Sequence, residues 1–307
     1  MDLAVITMQQ VGILFFMILA GYASVRYGLI KMESKKAFSE LLMNLVVPAM
    51  ILESYMAEFD MKVFSNLMLT FGLGIILHAL AVVVTLIVTK KKKNDDAAIL
   101  KFACIFSNAG YMGFPLIRAL FGMEGLLYAS AFLSIFTIFM WTIGYILVSG
   151  EVDKKRIVRN ICTQPSMISI VLGLIIYLGR IKVPAMISQP LGLLGAMNTP
   201  LSMIITGMMI AGSNLKRMFT DRRQVFIVAV RMFLIPALSF LLLKIMGIHG
   251  MVVEAVLLLE ACPTAAVTSV FAVQFGHDEE LAAGAVVITT FLSIFTLPMW
   301  ALVLAVL

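Results

Sequence analysis

A chain of 307 residues is long enough for one or two water-soluble domains, yet 62% of its residues are hydrophobic and only 13% are charged. With a mean hydropathy of +1.05 it departs from globular composition and reads as a polytopic membrane protein. Its formal charge of +6 is no nucleic-acid footprint, because the basic residues sit in short clusters between apolar runs, where membrane topology requires them.

Ten apolar segments follow along the chain, at 4–25, 37–57, 63–89, 98–121, 125–149, 161–180, 185–213, 223–247, 251–276 and 281–306. Their length and scarcity of charge predict membrane-spanning helices. The opening MDLAVITMQQ has an acid and no basic flank, so the first segment reads as a retained span rather than a cleaved signal. Clusters of Lys and Arg follow segment one (Arg26, Lys31, Lys35, Lys36), segment three (Lys90, Lys91, Lys92, Lys93), segment five (Lys154, Lys155, Arg156, Arg159) and segment seven (Lys216, Arg217, Arg222, Arg223). All four fall on one side, which the positive-inside rule makes cytoplasmic. Both termini are then extracytoplasmic, in a multi-pass protein of the cytoplasmic (inner) membrane. Cys104, Cys162 and Cys262 lie at or inside apolar segments without CxxC spacing, and read as small packing residues.

Segment four contains CIFSNAGYMGFPLIRALFG, from Cys104 to Gly122. A straight helix gains nothing from Asn108, Gly110, Gly113 and Pro115 together. Proline has no N–H to give, and asparagine and glycine tolerate non-helical backbone. Segment nine has a counterpart in Leu259-Glu260-Ala261-Cys262-Pro263-Thr264. In hydrocarbon, freed backbone groups persist only where protein or a water-filled cavity satisfies them. Two interrupted spans at corresponding places in two halves therefore point to the binding site of a secondary transporter.

The halves also repeat. Phe132-Leu133-Ser134-Ile135-Phe136-Thr137 precedes Met140-Trp141 as Phe291-Leu292-Ser293-Ile294-Phe295-Thr296 precedes Met299-Trp300. Met43-Asn44 with Pro48 echoes Met197-Asn198 with Pro200, and Phe121-Gly122 closes segment four as Phe275-Gly276 closes segment nine. Residues 1–150 and 151–307 are thus predicted to be two five-helix repeats. Five is odd, so the copies enter the membrane in opposite directions.

SNAGYMGFPLIRALFG in segment four, EACPTAAVTSVFAVQFGHDEELAAGAVVITTFLSIFTLPMW across segments nine and ten, and the ten-span layout resemble the auxin efflux carrier family of membrane transporters, over essentially the whole chain. The short central loop near 150–160 is similar to that of prokaryotic members. The resemblance implies an all-α membrane fold in which the broken spans four and nine cross. Spans one, two, six and seven would form a scaffold and spans three to five with eight to ten a transport domain, as in bile-acid sodium symporters. It also implies transport of small organic anions by an elevator motion, often in a homodimer. Mono- or dicarboxylates of the malate and malonate type, or auxin-like molecules, are the implied substrates.

At each break a second half-helix begins with unpaired N–H groups and the positive end of its dipole, which favour a carboxylate without a fixed cationic side chain. Through the resemblance, Asn108 matches the asparagine that contacts substrate in the plant carriers' fourth span; its amide can equally cap the half-helix. Gly110, Gly113, Pro115 and Pro263 shape the breaks, and Tyr111 and Thr264 are candidates for the same cavity. Asn44 and Asn198 hold matching places in spans two and seven, where they close the cavity opposite the breaks or hydrogen-bond helix to helix. Glu260, an acid deep in an apolar run, is the candidate coupling group. It would bind Na+ together with freed carbonyls or carry a proton, the alternative being an ion pair with Arg231. Similar basic residues in the plant carriers suggest structural pairing for both Arg118 and Arg231. His78 reads as a packed helix residue. Beyond a coupling Na+ or H+ no cofactor is expected, and the partners are a small organic anion, the lipid bilayer and a second copy of the chain.

The predicted function is therefore a secondary transporter of small organic anions, coupled through Glu260 or facilitating diffusion without it. An intramembrane enzyme fits poorly: Asp2, Asp60, Asp95, Asp96, Asp153, Asp221 and Asp278 all lie in loops or at segment ends, HExxH and GxSxG are absent, and His78, His249 and His277 lack metal spacing. An uncoupled channel or a transporter-like sensor is the remaining alternative.

Overall fold

The structure, a computed structural model, describes residues 3–90, 97–212 and 220–304. Of the basic clusters, Lys91, Lys92, Lys93, Lys216 and Arg217 lie outside the described residues, as do Asp2, Asp95 and Asp96. In chain order, α1 (Leu3–Arg26) is followed by α2 (Ser34–Leu41), a π-helical turn (Leu42–Val46) and α3 (Val47–Ser54). Next come α4 (Met61–Val88), α5 (Ala97–Ile105), a π-turn (Ala109–Gly113), α6 (Phe114–Phe139), a π-turn (Met140–Gly144) and α7 (Tyr145–Ser149). The second half runs α8 (Lys154–Thr163), α9 (Pro165–Leu178), α10 (Ala185–Ala196), α11 (Asn198–Ala211), α12 (Arg222–Val228), a π-turn (Ala229–Leu234), α13 (Ile235–Met246), α14 (Met251–Glu260), α15 (Val267–Phe275) and α16 (Glu279–Leu304).

Local chemistry accounts for many of these boundaries. Asp60 accepts from the N–H groups of Lys62 (2.7 Å) and Val63 (3.0 Å), Asp153 from Arg156 (3.0 Å) and Asp221 from Arg223 (2.8 Å). Each thereby satisfies a donor left over at a helix start. Pro48, Pro115 and Pro236 each follow a π-turn by two residues. A proline ring clashes with the carbonyl four residues back, and a widened turn gives that carbonyl room. Pro115 therefore does not break span four, contrary to the reading of the motif; the helix is interrupted earlier, at residues 106–108.

Among the described residues, seven helical stretches are long and apolar enough to cross a bilayer, or eight if α8 and α9, bent by 58°, count as one. Ten spans were expected, and the difference has a physical cause. Interruption leaves α5, α14 and α15 with only 9, 10 and 9 residues. At ~1.5 Å per residue each covers about half of a ~30 Å hydrocarbon core. Conversely, the 41-residue stretch Ala109–Ser149 is too long for one crossing and is interrupted at Gly122, whose φ of 65° and ψ of −147° no helix holds. Segment six begins at Pro165 rather than 161, because Lys154–Thr163 forms a separate helix that exposes its basic residues and buries Ile157.

The helices pack in two groups that share a contact as broad as most of those within them, α1 on α16. α1 lies along α11, and α3 lies against α9 and α10; α4 lies along α6, α6 against α14, and α12, α14 and α15 against α16. α1 and α11 meet backbone to backbone: a Cβ on Gly21 would strike the carbonyl of Ile204, and one on Gly207 the carbonyl of Ile18. Between the groups, Ser130 Oγ donates to the buried Tyr55 hydroxyl at 3.0 Å, and α1 also packs on α16.

Candidate functional site

The two breaks, residues 106–108 and 261–266, meet as a short antiparallel pair. Ser107 bridges Thr264, the Asn108 N–H donates to Pro263 O (2.7 Å) and the Ala265 N–H to Phe106 O (2.9 Å). Thr264 Oγ1 donates to Ala103 O at 3.0 Å, and the Thr264 N–H to Thr289 Oγ1 at 3.0 Å. Each broken span thus satisfies backbone groups of the other that lipid cannot.

On one face of this crossing the C-terminal ends of α5 and α14 converge, with their unpaired carbonyls. Arg231 reaches them from the π-turn Ala229–Leu234, its side chain 0% exposed. It donates to Ile105 O (2.9 Å), Cys104 O (3.3 Å) and Cys262 O (3.3 Å), and through Nη1 and Nη2 to Glu260 Oε1 (3.1 Å each). Glu260, 1% exposed, is the last residue of α14. A carboxylate there opposes the helix dipole, and the guanidinium offsets both. The ion pair with Arg231 is thus the observed contact of Glu260. The carbonyls expected to join it around Na+ are engaged by Arg231 instead. No group of three His, Cys, Asp or Glu that could hold a metal occurs among the described residues.

The opposite ends of the half-helices are differently furnished. Asn108 is 4% exposed, and its side chain makes no capping bond, although its carbonyl accepts from Met112 (3.0 Å) and Gly113 (3.1 Å). The N–H groups of Ala109, Gly110 and Tyr111 open the π-turn Ala109–Gly113, where a helix start leaves donors over. Gly110 is half-buried, and a Cβ there would find only Leu133 Cδ1, at 3.8 Å. Tyr111 lies beside Ser39 of α2. Gly113 is buried where a Cβ would come within 2.6 Å of Leu259 Cδ2, so it permits the close approach of α14. Pro115 is buried in the first turn of α6.

α11 packs against the π-turn that follows Asn108. Its first residue, Asn198, is 1% exposed, and neither its Nδ2 nor its Oδ1 has a hydrogen-bond partner among the described residues; Ser107 Oγ is in the same condition. Buried polar atoms without partners are uncommon and call for an explanation. Asn44 differs from its counterpart: it is exposed, in the π-turn Leu42–Val46.

The crossing therefore gathers Asn108, Pro263, Thr264 and Glu260, with Gly110, Tyr111, Gly113 and Pro115 in the turns that follow. The Thr264 hydroxyl is spent on Ala103, within the crossing itself. Thr289 joins them from an apolar run that gives no hint of its bond to segment nine. The HDEEL turn serves as a tie: His277 Nε2 contacts Val148 O (2.7 Å), and Asp278 caps Leu281 (2.8 Å) while accepting from Arg223 (2.9 Å). His78 is packed, with Nδ1 2.8 Å from Gly74 O and its ring centroid 4.7 Å from that of Phe132. Arg118 has no ion pair among the described residues.

Long apolar helices around a pair of interrupted ones that exchange backbone bonds define a multi-pass membrane transporter. A family model for membrane transport proteins matches residues 6–160 and 151–301. The chain belongs to that family, the auxin efflux carriers that its motifs resemble. It is 24% identical over 308 residues to an uncharacterized transporter of Methanocaldococcus jannaschii, covering 97% of this chain and 99% of the relative. It is 23% identical over 292 residues to an uncharacterized transporter of Methanothermobacter thermautotrophicus, covering 94% and 95%.

Proposed function

We propose that this transporter moves small organic anions, mono- or dicarboxylates or auxin-like molecules, by elevator-type alternating access, and that it is not an enzyme. The carboxylate binds at the start of the second half of span four. The observation that carries this is a buried Asn108 amide that caps nothing, set at the start of the π-turn Ala109–Gly113. Such a helix start attracts an anion, and Asn108 Nδ2 supplies a further donor. Asn198, unpartnered on α11, closes the site from the other group of helices, while Tyr111, Pro263 and Thr264 shape its wall.

The same reading takes the chain as ten spans in two inverted repeats, 1–150 and 151–307. α1–α3 with α9–α11 are the scaffold; α4–α7 with α12–α16 carry the substrate. The packing of α1 on α11 and of α3 on α9 and α10 supports the scaffold, and the Gly122 interruption supports two crossings in Ala109–Ser149. The basic clusters face the cytoplasm, both termini face outward across the cytoplasmic membrane, and the protein works as a homodimer.

Reconstitution in liposomes tests the proposal, with labelled malate, malonate and indole-3-acetate and with Asn108→Ala alongside the parent. Saturable uptake by the parent, with KM raised about tenfold to hundredfold in the variant, is expected if the amide bonds a charged group. Uptake that never saturates would make it a channel, and uptake of none of the anions would discard the substrate class.

A further inference from the structure

The donor set at the crossing is one that a hard cation would select: three main-chain carbonyls, of Cys104, Ile105 and Cys262, and the carboxylate of Glu260. It is assembled by two helix C-termini, the negative ends of their dipoles. Sodium does not fit there as the chain stands. The three carbonyl oxygens and Glu260 Oε1 lie within 3.3 Å of a guanidinium nitrogen, and a second cation among them would face that fixed charge at close range. Nor can the guanidinium leave: Arg231 is covalently held and fully buried.

We infer that Arg231 is the resident cation of the crossing: it holds, through the whole cycle, the place among the Cys104, Ile105, Cys262 and Glu260 oxygens that an exchangeable sodium ion would otherwise occupy. A sodium site is latent beneath it. Two things follow. The intact protein gains nothing from sodium, and removing the guanidinium exposes a cation site that depends on Glu260. The first half of this inference concerns binding and stands apart from the transporter reading; only its consequence, sodium-independent uptake, rests on that reading.

The experiment is thermal unfolding of the purified full chain in sodium chloride and in choline chloride at equal ionic strength. The parent should unfold at one temperature in both. Arg231→Ala should unfold lower in choline and recover several degrees in sodium, since a ligand bound only by the folded state stabilises it. Adding Glu260→Gln should abolish the recovery. Arg231→Lys, which keeps the charge with fewer and differently placed donors, should be less stable than the parent and indifferent to sodium. A sodium-dependent rise in the parent that Glu260→Gln removes would overturn the inference, as would a folded Arg231→Ala that responds to no sodium. If Arg231→Ala does not fold in either salt, the parent and Arg231→Lys decide: no sodium response in either supports the inference, and a response in the parent or the lysine variant refutes it. Uptake by the parent with and without a sodium gradient completes the test. Equal rates support sodium independence, and sodium-driven acceleration contradicts it. Absence of uptake under every condition would count against the transporter reading and leave the unfolding result intact.

Discussion

The two faces of the crossing are built from the same material, the ends of short helices inside a membrane, and are finished in opposite ways. On the C-terminal face the freed carbonyls of Cys104, Ile105 and Cys262 meet a donor, and the one carboxylate meets its counter-charge. On the N-terminal face the Asn108 side chain makes no capping bond, and both amide atoms of Asn198 and Ser107 Oγ are left without partners among the described residues. A polar group buried without a partner costs free energy. On the proposed transport function, the contrast separates groups that hold the fold from groups held in reserve for the anion.

The largest test of that contrast is on the satisfied face. Arg231→Ala or Glu260→Ala alone should cost about 3–5 kcal/mol, because each leaves the other charge buried and alone. Denaturation midpoints would show it. The paired change Arg231→Met with Glu260→Leu sharpens the point. An ordinary buried ion pair is often replaced by apolar residues at no cost, but here three carbonyls would still lose their donor. A residual loss of about 1–3 kcal/mol is expected, and full recovery would show that the carbonyl contacts matter little.

On the reserved face the signs invert. Asn108→Ala should reduce anion uptake about tenfold to hundredfold while shifting the unfolding midpoint little; an equal loss of both would reassign Asn108 to the fold. Asn198→Ala should keep or raise stability, since it removes two unsatisfied polar atoms, and should lower uptake less than Asn108→Ala. Smallest of all, Gly110→Ala places its Cβ in nearly open space. Unfolding assays should register no loss, or a gain of up to ~1 kcal/mol from better helix propensity, with any reduction confined to transport.

Much of this was legible in the residues and some was not. The two interruptions, the matching asparagines and the Phe121-Gly122 reversal follow from local chemistry, because Asn, Gly and Pro announce backbone that a helix resists. Pro115 does not itself break the helix, because a π-turn precedes it, and nothing near Pro115 signals that turn. Glu260 showed itself as an expensive acid in an apolar run, and Arg231 as its possible partner. That Arg231 also bonds Cys104 and Ile105, more than a hundred positions away, is a property of the crossing and of no local stretch. The division between Asn198, buried, and Asn44, exposed, is equally tertiary: the same dipeptide in two copies packs against different neighbours.

Gly21 and Gly207 carry no chemistry, yet they set a mechanical limit. With a carbonyl of each helix resting where the other's Cβ would be, α1 and α11 cannot slip past one another without first separating. They form a single plate. When bilayer thickness changes, a helix accommodates by tilting, and these two must tilt together, carrying Asn198 with them. Spin labels on α1 and α11 should therefore report one unchanging separation in thin and thick bilayers, while their depth below the lipid headgroups shifts in concert.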